Sequence, residues 1–232
     1  MSLEGTVISD GGHVTPRYRL IRFLREGGFG SVYEAKVIGI LQEDVDVVRS
    51  SSSVAVKAIQ KDKLCDEKLK TVKNEIRIQS RLEHDHVAKL LDCFESESHV
   101  FIILEYFGSG DLEVRLHEHG PFPEEAARRI LAQLCSGIGY LHKNHILHRD
   151  LKLANVLLSH NNNRHDHEED PGGVPNGGAD LDPVRVALCD FGLAVNVQSS
   201  ENTRRTLCGT PNSISPEVIS QVNNSNKLIS GN

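Results

Sequence analysis

"HILHRDLKLANVLLS", residues 145–159, begins and ends as an apolar, strand-like run. Between those ends stand His148, Arg149, Asp150, Lys152 and Asn155. Two segments that favour burial therefore enclose two cations, a carboxylate and an amide. A solvated turn between strands would explain them, and so would a loop that performs chemistry. The rest of the chain decides which.

The chain has 232 residues, 38% hydrophobic and 25% charged, with a formal net charge of −6. That composition suits a soluble globular chain of one large domain or two small lobes. The negative charge argues against nucleic-acid binding driven by bulk charge. No apolar stretch approaches the length of a membrane span. Cys65, Cys93, Cys135, Cys189 and Cys208 are scattered without a CxxC pair. Such spacing fits free thiols in a reducing compartment, hence a cytoplasmic protein. Residues 1–15 lack the basic flank and apolar core of a secretory signal and are predicted to be a flexible tail.

From Tyr18 to Ile38 the pattern is strand, glycine turn, strand, and β-branched alternation returns in "SVAVKAI", residues 53–59. The intervening "LQEDVDVVRSSSS" reads as an exposed hairpin insertion. Residues 66–82 are predicted helical, with Leu69, Val72 and Ile76 on one stripe. Strands are predicted at 86–94 and 99–107. A long helix is predicted over 121–145, with Pro123 in its first turn, acids following, and Leu131, Leu134, Ile138 and Leu141 at helical spacing. Residues 159–183, rich in Asn, Gly, Pro and acid, read as a disordered surface insertion. Its His165, Asp166 and His167 are metal-ligand types, but an isolated polar tract rarely fixes a ligand geometry.

Three constellations carry chemistry. Gly27, Gly28 and Gly30 of "GGFGSV" would let backbone N–H groups approach a phosphate without Cβ clashes, although glycine hairpins are common for other reasons. In the next strand, alternation puts Ala55 and Lys57 on one side and Val54 and Val56 on the other. A lysine on an apolar strand needs an anionic partner, and Glu75, three residues past Val72, falls beside the inward stripe of the helix. The alternative is an unconnected surface lysine and surface glutamate. In "LCDFGLA", Asp190 follows a short apolar strand and precedes a glycine. Asn155 and Asp190 offer the hard oxygens that magnesium takes when phosphates supply the rest. Asp150 then remains as a proton acceptor near a hydroxyl, and Lys152 as a cation near a transferred phosphate.

"GGFGSVYEAKV", "VAVK", Glu75, "HRDLKLANVLL", "DFGLA" and "GTPNSISPEV" occur in the order seen in eukaryotic protein kinases, and residues 16–220 resemble that family. "RRTLCGTPNSISPEV" and "HILHRDLKLANVLL" look most like the polo-like kinases, particularly the SAK branch. The resemblance implies an α+β, bilobal fold, with a β-rich N-lobe carrying one helix (16–106) and a mainly helical C-lobe (107–220). It implies ATP and Mg²⁺ as cofactors and transfer of phosphate to Ser or Thr of protein substrates. By the same resemblance, Leu24, Gly27, Gly28, Gly30, Val32, Ala55, Lys57, Glu75, Glu105, Phe107, Asp111 and Leu157 would line the ATP site. Leu104 would be the gatekeeper, and the backbone of 105–107 would read adenine. Asp150 and Lys152 would be catalytic, and Asn155 and Asp190 would hold the metal. Thr206 would be the activating phosphosite for an upstream kinase, and Thr210 part of the substrate loop. Cytoplasm, centrosome or centriole, and nucleus are the locations the resemblance suggests.

The sequence also departs from the pattern. Arg25 replaces the first glycine of the nucleotide loop, Ser213 a tyrosine, and Ser215 an alanine. After Glu217 comes a polar tail, 221–232, where the family continues with helices, so a truncated C-lobe is expected. Ile130, Leu131, Leu134, Ile138 and Leu141 would then not all be covered. The alternative function is a non-catalytic kinase fragment that binds nucleotide or a partner.

Overall fold

The computed structural model describes residues 3–9, 17–28, 30–38, 53–159 and 185–197. These form two compact units: Met1–Glu83 with Ala88–Phe107, and His84–Val87 with Gly108–Asn232.

The first unit is a six-stranded antiparallel sheet and one helix. In chain order the elements are β1 (Val7–Ile8), β2 (Tyr18–Gly27), β3 (Gly30–Val37), β4 (Ser53–Gln60), α1 (Asp66–Gln79), β5 (Leu90–Glu95) and β6 (His99–Glu105), and the sheet order is β1-β2-β3-β4-β6-β5. Alternation decides its faces. Tyr33, Ala35 and Val37 of β3 and Val54, Val56 and Ala58 of β4 join Tyr18, Leu20, Phe94, Phe101 and Ile103 in one buried cluster. On the other face Ile59, Val100 and Ile102 pack with Val72 of α1, and Ile76 lies against them. Asp66 and Glu67 favour the positive end of α1. The helix stops at Gln79, whose side-chain amide donates to the Ala88 carbonyl at 2.9 Å, so it is shorter than the predicted 66–82.

Two expectations are corrected here. Residues 3–9, expected within a flexible tail, are docked: β1 pairs with β2, Val7 opposite Arg19 and Ile8 opposite Tyr18. Ile8 is buried in the first cluster, and that apolar side chain is the signal hidden among Gly, Ser and Asp. The strand predicted over 86–94 starts only at Leu90, because Val87 bridges in parallel to Leu188 of the second unit, to which 84–87 belongs.

The second unit contains α2 (Leu112–His119), α3 (Glu124–Lys143), β7 (Ile146–Leu147), β8 (Val156–Ser159), β9 (Arg185–Leu188) and β10 (Val195–Asn196). β7 pairs with β10 and β8 with β9, both antiparallel. No helix was expected at α2, yet its signals are local: Asp111 Oδ1 accepts from the Val114 N–H at 2.9 Å, and Gly120, at φ +74°, ends it. Pro123 stands at the N-cap of α3 with Glu124 and Glu125 next. Gly137 lets α3 approach the 84–87 segment, since a Cβ there would lie 2.8 Å from the His86 carbonyl oxygen. Gln133 Oε1 accepts from the Val186 N–H at 2.9 Å and ties the helix to β9. Along the stripe of α3, Ile130 and Leu141 are buried, Leu134 and Ile138 are half-buried, and Leu131 is 60% exposed. No described helix is long and apolar enough to cross a membrane.

Candidate active site

In the first unit the register of three strands assembles one face. Val32 is the cross-strand partner of Lys57, and Ala55 that of Leu104. With a period of two, Val32, Ala55, Lys57 and Leu104 therefore point to the same side of the sheet. That side also faces α1. Lys57, only 7% exposed, donates from Nζ to Glu75 Oε1 at 2.6 Å, and Glu75 is 2% exposed. The second Glu75 oxygen, Oε2, is buried with no hydrogen-bond partner among the described residues. A buried pair of this kind gains little net stability over apolar residues, but losing one member strands the other charge.

The glycines of the hairpin differ from one another. Gly27 and Gly30 are cross-strand partners at its end. A Cβ on Gly30 would collide with the Ala58 carbonyl oxygen, so this glycine is required for β3 to approach β4. That is a structural demand, separate from phosphate approach. At Gly28 a Cβ would meet no atom of the described residues within 4 Å. Leu24 is half-buried and Phe107 is 6% exposed. β6 ends at Glu105, whose N–H donates to the Lys89 carbonyl at 2.9 Å. Next to it, the Tyr106 hydroxyl accepts from Arg22 Nη2 at 3.2 Å, and Arg22 also pairs with Glu34 at 2.9 Å. This tie was not anticipated; no spacing rule links residues 22, 34 and 106.

In the second unit the opening stretch of sequence becomes a loop with its polar groups committed to one another. Asp150, 8% exposed, accepts on Oδ2 from Lys152 Nζ at 2.8 Å. Asn155, 1% exposed in a 3-10 turn over Leu153–Asn155, donates from Nδ2 to the Asp150 backbone carbonyl at 2.8 Å and to its Oδ2 at 3.0 Å. The Asn155 backbone carbonyl accepts from Cys189 N–H at 3.0 Å, next to Asp190. Pairing of β8 with β9, Val156 opposite Leu188, brings these two loops side by side. Arg149 and Asp190 sit at φ +66° and +64°, a left-handed conformation that costs a non-glycine residue about 1–3 kcal/mol. Arg149 Nε donates to the Leu193 carbonyl at 2.7 Å, and Asp190 Oδ1 lies 3.4 Å from the Gly192 N–H. Asp111 and Leu157, both expected at a nucleotide site, are β-bridge partners.

His148 supports this loop, a role that spacing alone did not reveal. It is 4% exposed, and burial pushes its pKa down. Its Nδ1 accepts from the Asp150 N–H at 3.3 Å, so the neutral ring carries its proton on Nε2 and donates to the Cys189 carbonyl at 2.9 Å. The ring also packs against Phe191, centroids 5.0 Å apart. His148 thus joins the Asp150 loop to the Asp190 loop.

The donor chemistry fits the implied groups. Asn155 Nδ2 is held by Asp150, so Oδ1 is the end that could accept a metal, and Asp190 adds a carboxylate. Two such oxygens suit Mg²⁺, which keeps water and phosphate as its other ligands. No cluster of three or more His, Cys, Asp or Glu able to hold a metal occurs among the described residues. Thr206 and Thr210, the histidines of the 159–183 insertion and the tail 221–232 lie outside the described residues.

Residues 18–228 match the family model of the protein kinase domain. The chain is 34% identical over 212 residues to Serine/threonine-protein kinase PLK4 of Drosophila virilis, covering 90% of this chain and 23% of that protein. It is 35% identical over 206 residues to the PLK4 of Aedes aegypti, covering 88% and 23%. Serine/threonine-protein kinase fused of Drosophila melanogaster is also 35% identical, over 205 residues, covering 88% and 21%. The chain therefore spans less than a quarter of the length of these relatives.

Proposed function

Because the chain belongs to the protein kinase domain family, we propose that it transfers the γ-phosphate of ATP to serine or threonine hydroxyls of protein substrates. The observation that carries this reading is the Asp150–Lys152–Asn155 cluster, a carboxylate held at 2.8 and 3.0 Å by a cation and an amide. Asp150 would accept the substrate hydroxyl proton as the new O–Pγ bond forms and the bond from Pγ to the ADP oxygen breaks. Lys152 would hold Asp150 in place and offset charge on the moving phosphoryl group. Lys57, fixed by Glu75, would bind the α- and β-phosphates, with the glycine turn covering them. Asn155 and Asp190 would hold magnesium, which neutralises phosphate charge when bound. Serine/threonine preference is supported by Lys152 in the catalytic loop and by the named relatives. Thr206 would take a regulatory phosphate from an upstream kinase. The resemblance also supports a cytoplasmic, centrosomal or nuclear location.

Nucleotide binding and transfer are separable experimentally. Mg·ATP at a hundredfold excess over Kd should stabilise the fold by about 2.7 kcal/mol, and the Lys57→Met variant should lose that shift. Casein incubated with the chain and γ-labelled ATP should yield phosphoserine or phosphothreonine after hydrolysis. A Mg·ATP shift without label transfer would favour a nucleotide-binding module, and the absence of both would refute nucleotide binding as well.

A further inference from the structure

We propose that residues 3–9 are a strap that positions the glycine hairpin, and that Glu4 is its key positioning residue; this rests on the nucleotide-binding reading given above. β2 is irregular against β3: the register slips between Leu20 and Arg22 and again between Phe23 and Arg25. Such bulges take backbone groups out of the ladder and leave a strand free to bend. Phe23 lies between the two slips, and its N–H donates to Glu4 Oε1 at 2.8 Å. The carboxylate stands where a neighbouring strand's carbonyl would otherwise be.

The strap holds the opposite strand as well. Tyr33 is the cross-strand partner of Phe23, their rings meet edge to face with centroids 5.7 Å apart, and the Tyr33 hydroxyl accepts from the Leu3 N–H at 3.3 Å. Leu3 and Glu4 thus hold both members of a single pair. From that pair the register runs on through Arg25–Val32 and Glu26–Ser31 to Gly27–Gly30. The far end of the strap is anchored by Gly5 N–H to the Leu20 carbonyl and Leu20 N–H to the Thr6 carbonyl, each at 2.9 Å, and by burial of Ile8. Leu3, Glu4, Phe23, Tyr33, Gly27 and Gly28 line one cavity of about 670 Å³, so the strap and the glycine turn border a common space. A hairpin that is loose before binding must be ordered by the ligand, which weakens affinity.

The test uses the full chain, with amide exchange across residues 23–31 and titration with Mg²⁺ and a fluorescent ATP analogue. Glu4→Ala should speed exchange at Phe23 and through the hairpin. It should weaken the analogue roughly three- to tenfold, the loss of one charge-assisted hydrogen bond partly screened by solvent. In turnover it should raise KM for ATP and leave kcat nearly unchanged. Glu4→Gln, whose amide oxygen still accepts from Phe23, should restore most of both properties, which a merely disrupted fold would not allow. Exchange and affinity in Glu4→Ala equal to the parent chain would overturn the strap. A parent chain that binds no nucleotide would overturn the functional reading and the affinity claim together, and the exchange data would then decide the strap on their own.

Discussion

The Asn155 side-chain nitrogen donates to both the backbone carbonyl and the carboxylate of Asp150, at 2.8 and 3.0 Å, in a site where Asn155 is 1% exposed. One amide therefore fixes the position of the main chain and the rotamer of the side chain that would act as base. Asn155→Ala removes both bonds to Asp150 from a buried site, at a cost of about 1–3 kcal/mol. Asn155→Asp should be worse, because it sets a second buried carboxylate against Asp150. Thermal melts of the two variants should show the order parent, Ala, Asp.

The Lys57–Glu75 pair separates stability from function. Lys57→Met strands the Glu75 carboxylate, whose Oε2 has no partner among the described residues, and should cost about 3–5 kcal/mol. Adding Glu75→Leu should recover much of that loss while leaving nucleotide binding absent. Denaturant midpoints beside Mg·ATP titrations check both halves, and a double variant that regains ATP binding would count against a phosphate role for Lys57.

Stability should fall as the solution is acidified. His148 titrates below its ordinary value of 6.5 in the folded chain, chiefly because burial disfavours the charged ring, with Lys152 adding to that and the Cys189 carbonyl, Asp190 and Asp150 opposing it. The unfolded chain then binds a proton that the folded chain refuses. Stability is complete above about pH 6.5 and declines as pH falls toward the lower folded value. His84 and His99 shift the same way through burial. Melting temperatures between about pH 7.5 and 5 should drop, and His148→Gln should flatten part of the slope without abolishing it.

The hairpin glycines should respond unequally. Gly30→Ala drives a methyl group into the Ala58 carbonyl and should destabilise by about 1–3 kcal/mol, through forced separation of β3 from β4. Gly28→Ala meets no described neighbour within 4 Å and should change stability by less than about 0.5 kcal/mol. Equal melting points for the two variants would refute this distinction.

Local pattern made much of this fold legible. Alternation through 53–59 placed Lys57 with Ala55, and the stripe of α1 brought Glu75 to the same face. The apolar ends of 145–159 became β7 and β8, enclosing the Asp150 loop as their polarity suggested. Long-range geometry was not legible. Nothing in sequence spacing says that Ile8 enters the core, that Val87 leaves its strand to bridge Leu188, or that Arg22 reaches Tyr106. Those outcomes depend on which edges tertiary packing leaves open. The helix Leu112–His119 is a different case: Asp111 and Gly120 were readable caps, but eight residues with few buried side chains give a weak periodic signal.

The most direct measurement is the initial rate of label transfer from γ-labelled ATP to casein by the full chain and by Asp150→Asn, at equal and saturating Mg·ATP. If Asp150 accepts the hydroxyl proton, the parent chain transfers phosphate to serine or threonine, and the variant falls by about 10²–10⁴-fold while still binding nucleotide. Equal rates in the two proteins, or no transfer by the parent chain, would contradict the account.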